Sequence, residues 1–488
     1  KQVYKRVNET EMEKSSDIMS KMHYSSHIYT DRIHNADKKY MMTKKLFQFA
    51  LILISITVLS CNTNNDKGEI IPQDVLPIFN LNTFGNPIPN NPKINGILSI
   101  SIDNEVNFEG NIAIESRGSS SQDFPKKSYS FETRDADNVN LDVDVALLGL
   151  PAEEDWVLNG PYSDKTLIRN IFVYDLFREM GHYASRSLLV EFNLNDDYQG
   201  VYVLSEKLKR DENRIDISKL NPDENSGEDL TGGYILQIDR DDEEKTNDSF
   251  TSNYPPPFAE SGQQVTFVYE EPGADEITDQ QKNYIQNYVN GFESALASQN
   301  FTDPVTGYLS FINVSSFIDF FLLNELTNNV DAYRLSTYLT KDKNGKLNMG
   351  PVWDFNYSLG NVDYCSAGET NVWAYKFNER CGNHDQQVPF WWSRFLEDPA
   401  FVGQLKDRWT KLRNDDLSLN NLNMMIDNYS TLLNETGAAE RNFTTWDILG
   451  SDVHPNNFVG DTYNDEVNYL KDWISDRLSW MDEAIDAL

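Results

Sequence analysis

The sequence predicts an α+β fold with two lobes, strand-rich in its N-terminal half and helix-rich in its C-terminal half. Between about residues 96 and 134, apolar and polar residues alternate, as in strands with one buried face. From about residue 276 the apolar spacing becomes that of amphipathic helices. The chain has 488 residues, enough for two lobes around a cleft, which we place at 93–272 and 273–488.

The segment 41–60 predicts export. Lys44 and Lys45 precede about 15 apolar residues, too few for a comfortable membrane span, and the segment ends in VLSC, which resembles a bacterial lipobox. That signal implies cleavage before Cys61 and lipidation of its thiol, so the protein would be lipid-anchored to the bacterial cell envelope. The alternative is an uncleaved anchor helix.

The segments on either side of this signal are not expected to join the fold. A signal peptide should start a chain, so translation would begin at Met41 or Met42 and residues 1–40 would be a non-native upstream extension. Residues 61–92 are rich in Asn, Asp, Pro and Gly, a composition typical of a tether.

The charge and the cysteine content indicate which partners and which kinds of site to expect. The formal net charge of −35 argues against nucleic acid as a general partner and favours basic or neutral ones. After Cys61 the chain has two cysteines, Cys365 and Cys381. In an exported protein they either form a disulfide that closes a short loop or remain two buried free thiols. No CxxC or HExxH motif supports a zinc site.

Several further elements can be placed by pattern. A helix is predicted from about Asp164 to Met180, with Ser163 or Asp164 as its N-cap and Gly181 as its stop. Strands are predicted in SLLVEFNLN and DDYQGVYVLSEKL, and a further pair in TGGYILQIDRD and QQVTFVYEEP.

A predicted hairpin within 331–360 brings two carboxylates together. LSTYLT and KLNMGPVW read as strands joined by a turn that contains Asn-Gly. Asp331 precedes the first strand and Asp354 ends the second, so both should project into one space. Phosphoryl transfer needs such a pair, one carboxylate to orient a hydroxyl and one to hold Mg²⁺. The alternative for Asp354 is an ordinary turn residue.

Segments across the chain carry a family resemblance. IESRGSSSQDFPKKSYSFE, LIRN, GVYVLSEKLKRDENRIDI, NNVDAY and PVWDFNYSLGN occur in this order. Together they resemble the CotH kinase family, the atypical protein kinases of the spore-coat protein H type, over roughly residues 95–365. The resemblance implies a protein-kinase-like fold that binds ATP and Mg²⁺ (or Mn²⁺) and phosphorylates Ser or Thr of proteins.

The resemblance assigns the two carboxylates and a lysine. Asp331 resembles the catalytic aspartate and Asp354 the metal-binding one, and a lysine of PKKSY resembles the residue that holds the ATP phosphates. Alternation puts Lys127 on the face of Tyr129 and Phe131, so we expect Lys127 rather than Lys126 to point inward. The alternative is two solvated surface lysines.

Other cofactor-binding candidates follow from the same segments. The phosphate loop would comprise Arg117, Gly118, Ser119 and Ser120, although a Ser-rich segment after a strand is often only a turn. Glu206 ends a strand and would contact nucleotide or pair with Lys127, unless it is simply exposed.

Two departures from the kinase pattern leave other functions open. Ser336 stands five residues after Asp331, where kinases often have a metal-binding Asn, and Asn356 stands where an Asp would add a second acidic ligand. These metal-ligand candidates bind Mg²⁺ more weakly than carboxylates do. The alternatives are therefore a nucleotide-binding pseudokinase, or a non-enzymatic surface lipoprotein that binds glycans or proteins through aromatics such as Trp391, Trp392, Trp409, Trp473 and Trp480. For a kinase, the substrate would be a basic or Ser/Thr-rich protein.

Overall fold

A computed structural model describes residues 73–240, 249–259 and 262–488. These residues fall in one compact unit that spans residues 67–488. The predicted upstream extension, the signal peptide, the lipidation site Cys61 and part of the tether lie outside the described residues. Within the described ranges, no helix has both the length and the apolar character that crossing a bilayer requires.

Seven strands close into a barrel in the first half of the chain. Their order is β1-β2-β3-β4-β5-β7-β6, with β1 and β6 pairing in parallel to complete the circle. Alternate residues such as Phe79, Phe131 and Trp156 fill the interior and are almost fully buried. The strands are β1 (Ile78–Asn82), β2 (Ile94–Ile102), β3 (Glu105–Arg117), β4 (Ser128–Arg134), β5 (Asp155–Asn159), β6 (Ser187–Leu194) and β7 (Asp197–Glu206).

A second sheet of five strands has the order β12-β11-β8-β10-β9. Its pairing confirms the hairpin predicted in 331–360, because β11 and β12 are antiparallel neighbours. β11 also pairs with β8, so this sheet takes strands from both sides of the proposed 272/273 boundary, which stays a prediction. The strands are β8 (Tyr234–Ile238), β9 (Ser249–Thr251), β10 (Thr266–Glu271), β11 (Thr337–Lys341) and β12 (Leu347–Met349).

Most helices follow residue 278, which confirms the α+β class with its helical second half; the closed barrel was not predicted. The earliest described helix, α1, spans Arg169–Glu179, so it begins later than expected. The Asp164 carboxylate accepts the backbone N–H groups of Thr166 and Arg169, so a turn precedes the helix. The others are α2 (Asp279–Ala297), α3 (Val314–Thr327), α4 (Phe377–Arg380), α5 (Trp391–Phe395), α6 (Pro399–Arg413), α7 (Leu419–Glu435), α8 (Ala438–Thr445) and α9 (Tyr463–Asp486).

Of the two alternatives for Cys365 and Cys381, the structure has the disulfide and not two free thiols. The two Cα atoms lie 5.8 Å apart and the bridge closes a loop with a sequence separation of 16. The Arg380 side chain also bonds this loop, donating from Nε to the Cys365 carbonyl at 3.1 Å. The bridge therefore fixes the segment that follows the hairpin.

Removing this bridge should destabilise the fold. We expect the double variant Cys365→Ala/Cys381→Ala to lose about 2–4 kcal/mol of unfolding free energy, since a closed loop of this size restricts the unfolded chain. Urea denaturation measures the change, and reduced wild-type protein, which lacks the same constraint, should unfold at the same urea concentration as the variant. A variant as stable as the oxidised protein would contradict the expectation.

Candidate functional site

Asp354 follows β12 in a conformation that needs support. Its φ is +65°, in the left-handed region that non-glycine residues adopt only at a cost. The Asp354 N–H donates to the Tyr174 hydroxyl at 3.2 Å, and the Phe355 N–H donates to Asn170 Oδ1 at 2.7 Å. Asn329 Nδ2 donates to the Asp354 carbonyl at 3.3 Å. Since Asn170 and Tyr174 belong to the buried helix α1, that helix holds the aspartate in place.

Asp331 lies in the loop after α3 and is joined to Asp354 through one side chain. Asn329 Oδ1 accepts the Asp331 N–H at 3.1 Å, so the same carboxamide bonds both aspartate backbones. Arg334, whose guanidinium lies 4.1 Å from the centre of the Phe377 ring, donates to Asp331 Oδ1 at 2.8 Å. The two carboxylates that the hairpin predicted are therefore brought into one cluster.

A third carboxylate, Asp239, belongs to this cluster and was missed in the sequence. It follows β8, and its Oδ2 accepts the Ser336 N–H at 3.0 Å, while the Ser336 hydroxyl lies 3.5 Å away. Ser336, a predicted metal ligand, has a φ of +44°. A signal for Asp239 existed, because it directly follows an apolar strand. Asp354 was predicted to end its strand, but β12 ends at Met349, five residues earlier.

The cluster is electrostatically crowded. Burial, together with the charges of Asp331 and Asp239, raises the pKa of Asp354 to about 7, against opposition from Arg117 and Arg240. Burial also raises the pKa of Asp239. Carboxylate oxygens are ligands that a hard divalent cation prefers, and a cation here would relieve the repulsion. The donor set therefore fits Mg²⁺ or Mn²⁺.

The predicted phosphate loop adjoins the cluster through two arginines. The Arg117 guanidinium lies 5.3 Å from the centre of the Trp353 ring, next to Asp354. Arg240 Nη1 donates to Ser119 Oγ at 3.1 Å, which connects the loop to the segment after β8. Gly118 has a φ of +113°, and a Cβ there would lie 2.0 Å from Ser121 Oγ, so the tight turn requires glycine. Ser120 opens the short 3₁₀ turn that follows.

Comparison with known proteins identifies the family. A family model described as CotH kinase protein matches residues 114–481, most of the chain. The chain belongs to the CotH kinase family. The match begins in β3 and ends in α9, so it includes the whole acidic cluster, and membership indicates an atypical kinase-like function. A search of curated proteins found no significant match.

The prediction that Lys127 rather than Lys126 points inward is wrong. Lys126, not Lys127, is 2% exposed, and Lys127 is half-buried with its ammonium bonded to the Gln122 carbonyl. The physical reason is that β4 begins only at Ser128, so the alternation of Tyr129 and Phe131 does not extend back to these lysines.

The Lys126 ammonium is held by hydrogen bonds to three acceptors of the protein. Its ammonium donates to the Val201 carbonyl at 2.6 Å, to Asn442 Oδ1 at 2.8 Å and to the Pro161 carbonyl at 3.3 Å. Burial lowers the pKa of Lys126 well below its ordinary value. These bonds join the barrel to helix α8. The cations that lower the pKa of Asp354 are Arg117 and Arg240 rather than this lysine.

Glu206 and Asn356 complete the sequence-predicted set. Glu206 is fully buried and accepts hydrogen bonds from Arg186 at 2.6 and 3.0 Å and from the Tyr183 hydroxyl at 3.2 Å. It therefore forms an ion pair with Arg186 rather than with Lys127. Asn356 lies two residues after Asp354, and its carbonyl accepts from Asn361 Nδ2 at 2.7 Å.

A second acidic group lies on the barrel. One oxygen from each of Asp144, Glu153 and Glu154 falls within 4.8 Å of the others. The Lys209 ammonium, however, lies 2.5 Å from Glu153 and 2.8 Å from Glu154. An ammonium therefore already neutralises this group. Among the described residues it is nevertheless the set of three acidic side chains whose oxygens meet this spacing, and Asp331, Asp354 and Asp239 do not meet it.

Ionisation of Asp354 should lower the free energy of unfolding. The unfolded chain releases this proton near pH 4 and the folded chain near pH 7, so the free energy of unfolding falls between those values. Asp354→Asn removes the charge, and we expect it to stabilise the protein by about 1–3 kcal/mol at pH 8 and by little at pH 4. Urea denaturation at both pH values measures the difference.

Asp331→Asn serves as the matched control. Its carboxylate balances the buried Arg334 guanidinium, so this variant should lose stability at pH 8. An Asp354→Asn effect that is the same at pH 4 and pH 8 would contradict the assignment.

Proposed function

We propose that this protein is a CotH-family kinase that transfers the γ-phosphoryl group of ATP to Ser or Thr of a protein. The observation that carries the proposal is the Asn329 carboxamide holding Asp331 and Asp354 side by side, with Asp239 as a third carboxylate. Family membership supports the kinase-like class.

Each group has a role that its surroundings suit. Asp354 and Asp239 would hold the divalent cation, which supplies positive charge against phosphate oxygens. Arg117 and Arg240 would bind the phosphates, since guanidinium groups match phosphate geometry. Asp331, oriented by Arg334, would accept the acceptor hydroxyl's proton. The acceptor oxygen bonds to the γ-phosphorus, the bond to the bridging oxygen breaks, and ADP leaves.

We further propose that the barrel and the helical half act as the two lobes of a kinase-like arrangement. In support, the loop after β3 comes from the barrel, whereas Asp331 and Asp354 come from the second half, and Arg117 is close enough to affect the Asp354 pKa. A nucleotide between these parts would contact both.

An inactive nucleotide-binding protein is the second candidate. Ser336 supports it, because this residue replaces a metal-binding amide and its N–H is already bonded to Asp239. The glycan-binding alternative has less support, since Trp391, Trp392, Trp409 and Trp473 are at most 4% exposed.

Location and partners are proposed from the sequence. The signal-like segment before Cys61 supports an exported protein with a lipid anchor on the cell envelope. The charge of −35 supports a basic or Ser/Thr-rich protein substrate rather than nucleic acid.

Thermal melting of residues 62–488 tests the nucleotide site. Millimolar ATP with Mn²⁺ or Mg²⁺ should raise the melting temperature, because binding at 100 times Kd adds about 2.7 kcal/mol. Asp354→Ala should abolish the shift. Asp331→Ala should keep the shift but lower phosphoryl transfer by about 10²–10⁴-fold, the usual contribution of a general base.

The matched control is Asp144→Ala in the barrel's acidic group, which should change neither readout. A shift without transfer in the wild-type protein would favour the inactive candidate. No metal-dependent shift would contradict both.

A further inference from the structure

A polar pocket of about 590 Å³ opens beside the acidic cluster. Its walls are the end of β8 at Ile238–Arg240, the segment 262–266 that leads into β10, and the segment 385–387 that follows the disulfide loop, together with Arg334. The sequence predicted strands in the first two walls but no binding residue in any of the three.

The pocket meets the cluster on the Asp331 side. Asp239 and Arg240 belong to both, and Arg334, which lines the pocket, donates to the Asp331 carboxylate. The residues that hold Asp354, namely Asn170 and Tyr174, do not line it. A group in this pocket would therefore approach Asp331 along Arg334, next to Asp239 and Arg240, which the pocket shares with the proposed metal and phosphate site.

The walls suit a peptide better than a nucleotide base. Base sites are mainly apolar, but three glutamines, Gln264, Gln386 and Gln387, line this pocket. Gln387 is 1% exposed, and its Nε2 donates to the carbonyls of Cys381 at 3.0 Å and His384 at 2.6 Å. Its Oε1 is a buried acceptor without a hydrogen-bond partner in the part of the chain described. Gln264 is exposed and Gln386 is half-buried, and their side-chain amides carry both the donors and the acceptor that pair with peptide C=O and N–H groups.

We propose that this pocket binds the acceptor substrate, an extended protein segment whose Ser or Thr hydroxyl reaches Asp331. The acceptor role rests on the proposed function; peptide binding itself does not. Asp385, exposed at the rim, selects a basic residue near the hydroxyl. Arg334 adds no net attraction for acidic segments, because its charge is balanced by Asp331.

The test measures peptide binding without nucleotide. Labelled protein (residues 62–488) is applied to an array of Ser- and Thr-centred decapeptides with varied neighbours. Wild-type protein should retain peptides with Lys or Arg beside the hydroxyl. Gln386→Trp, which puts a bulky ring on the pocket wall in place of an amide, should weaken this binding at least tenfold, and Asp385→Lys should shift the selection toward acidic neighbours. Asp472→Lys, an exposed aspartate of α9 outside the pocket, is the control and should bind as wild type.

Melting with ATP and Mn²⁺ on the same proteins separates the two proposals. Gln386→Trp should keep the wild-type shift. If Gln386→Trp loses the ATP-dependent shift in melting temperature, nucleotide occupies the pocket. If Gln386→Trp binds peptides as wild type does, any peptide site lies elsewhere. Either result overturns the inference, and so does wild-type protein that retains no peptide. No ATP shift in wild type, with peptide binding still lost in Gln386→Trp, would refute the proposed kinase activity while supporting the peptide site.

Discussion

Asn329 uses both ends of one side-chain amide to hold the backbones of Asp331 and Asp354, at 3.1 and 3.3 Å. Two carboxylates repel each other, so other contacts must fix the segments that carry them. A carboxamide does this without adding charge and without occupying the carboxylate oxygens. Every role proposed for the cluster depends on this link between the loop after α3 and the loop after β12.

Helix α1 stabilises the left-handed backbone at Asp354. It supplies Asn170 and Tyr174 to the strained backbone at Asp354, and Arg169 Nε donates to the Ser358 carbonyl at 3.1 Å further along the same loop. The residues from Arg169 to Arg178 are buried, so the helix is held on all sides by packing. This rigid support keeps the Asp354 backbone in the left-handed region. A solvent-exposed backbone without such contacts would return to a lower-energy conformation.

Local patterns in the sequence predicted what depends on local structure. The Asn-Gly turn and flanking alternation predicted the hairpin, and hence the proximity of Asp331 and Asp354. Asp239 has a similar local pattern, but its place in the site depends on the pairing of β8 with β11, about a hundred residues away, which no short motif records. Barrel closure likewise depends on β1 meeting β6 in parallel. The wrong choice of lysine came from extending an alternation beyond the start of β4.

Lys126 makes the barrel depend on a distant part of the chain. Asn442 Oδ1 accepts both from the Lys126 ammonium and from the Val201 N–H at 3.0 Å, and 316 residues separate Asn442 from that lysine. The loop that carries Arg117 and Gly118 ends just before Lys126, so one of its anchors forms only after residue 442 has been synthesised. On the ribosome, a chain that has not yet emerged as far as α8 leaves this ammonium short of a partner. The segment between β3 and β4 therefore takes its final position only after α8 has been synthesised and has packed against the barrel.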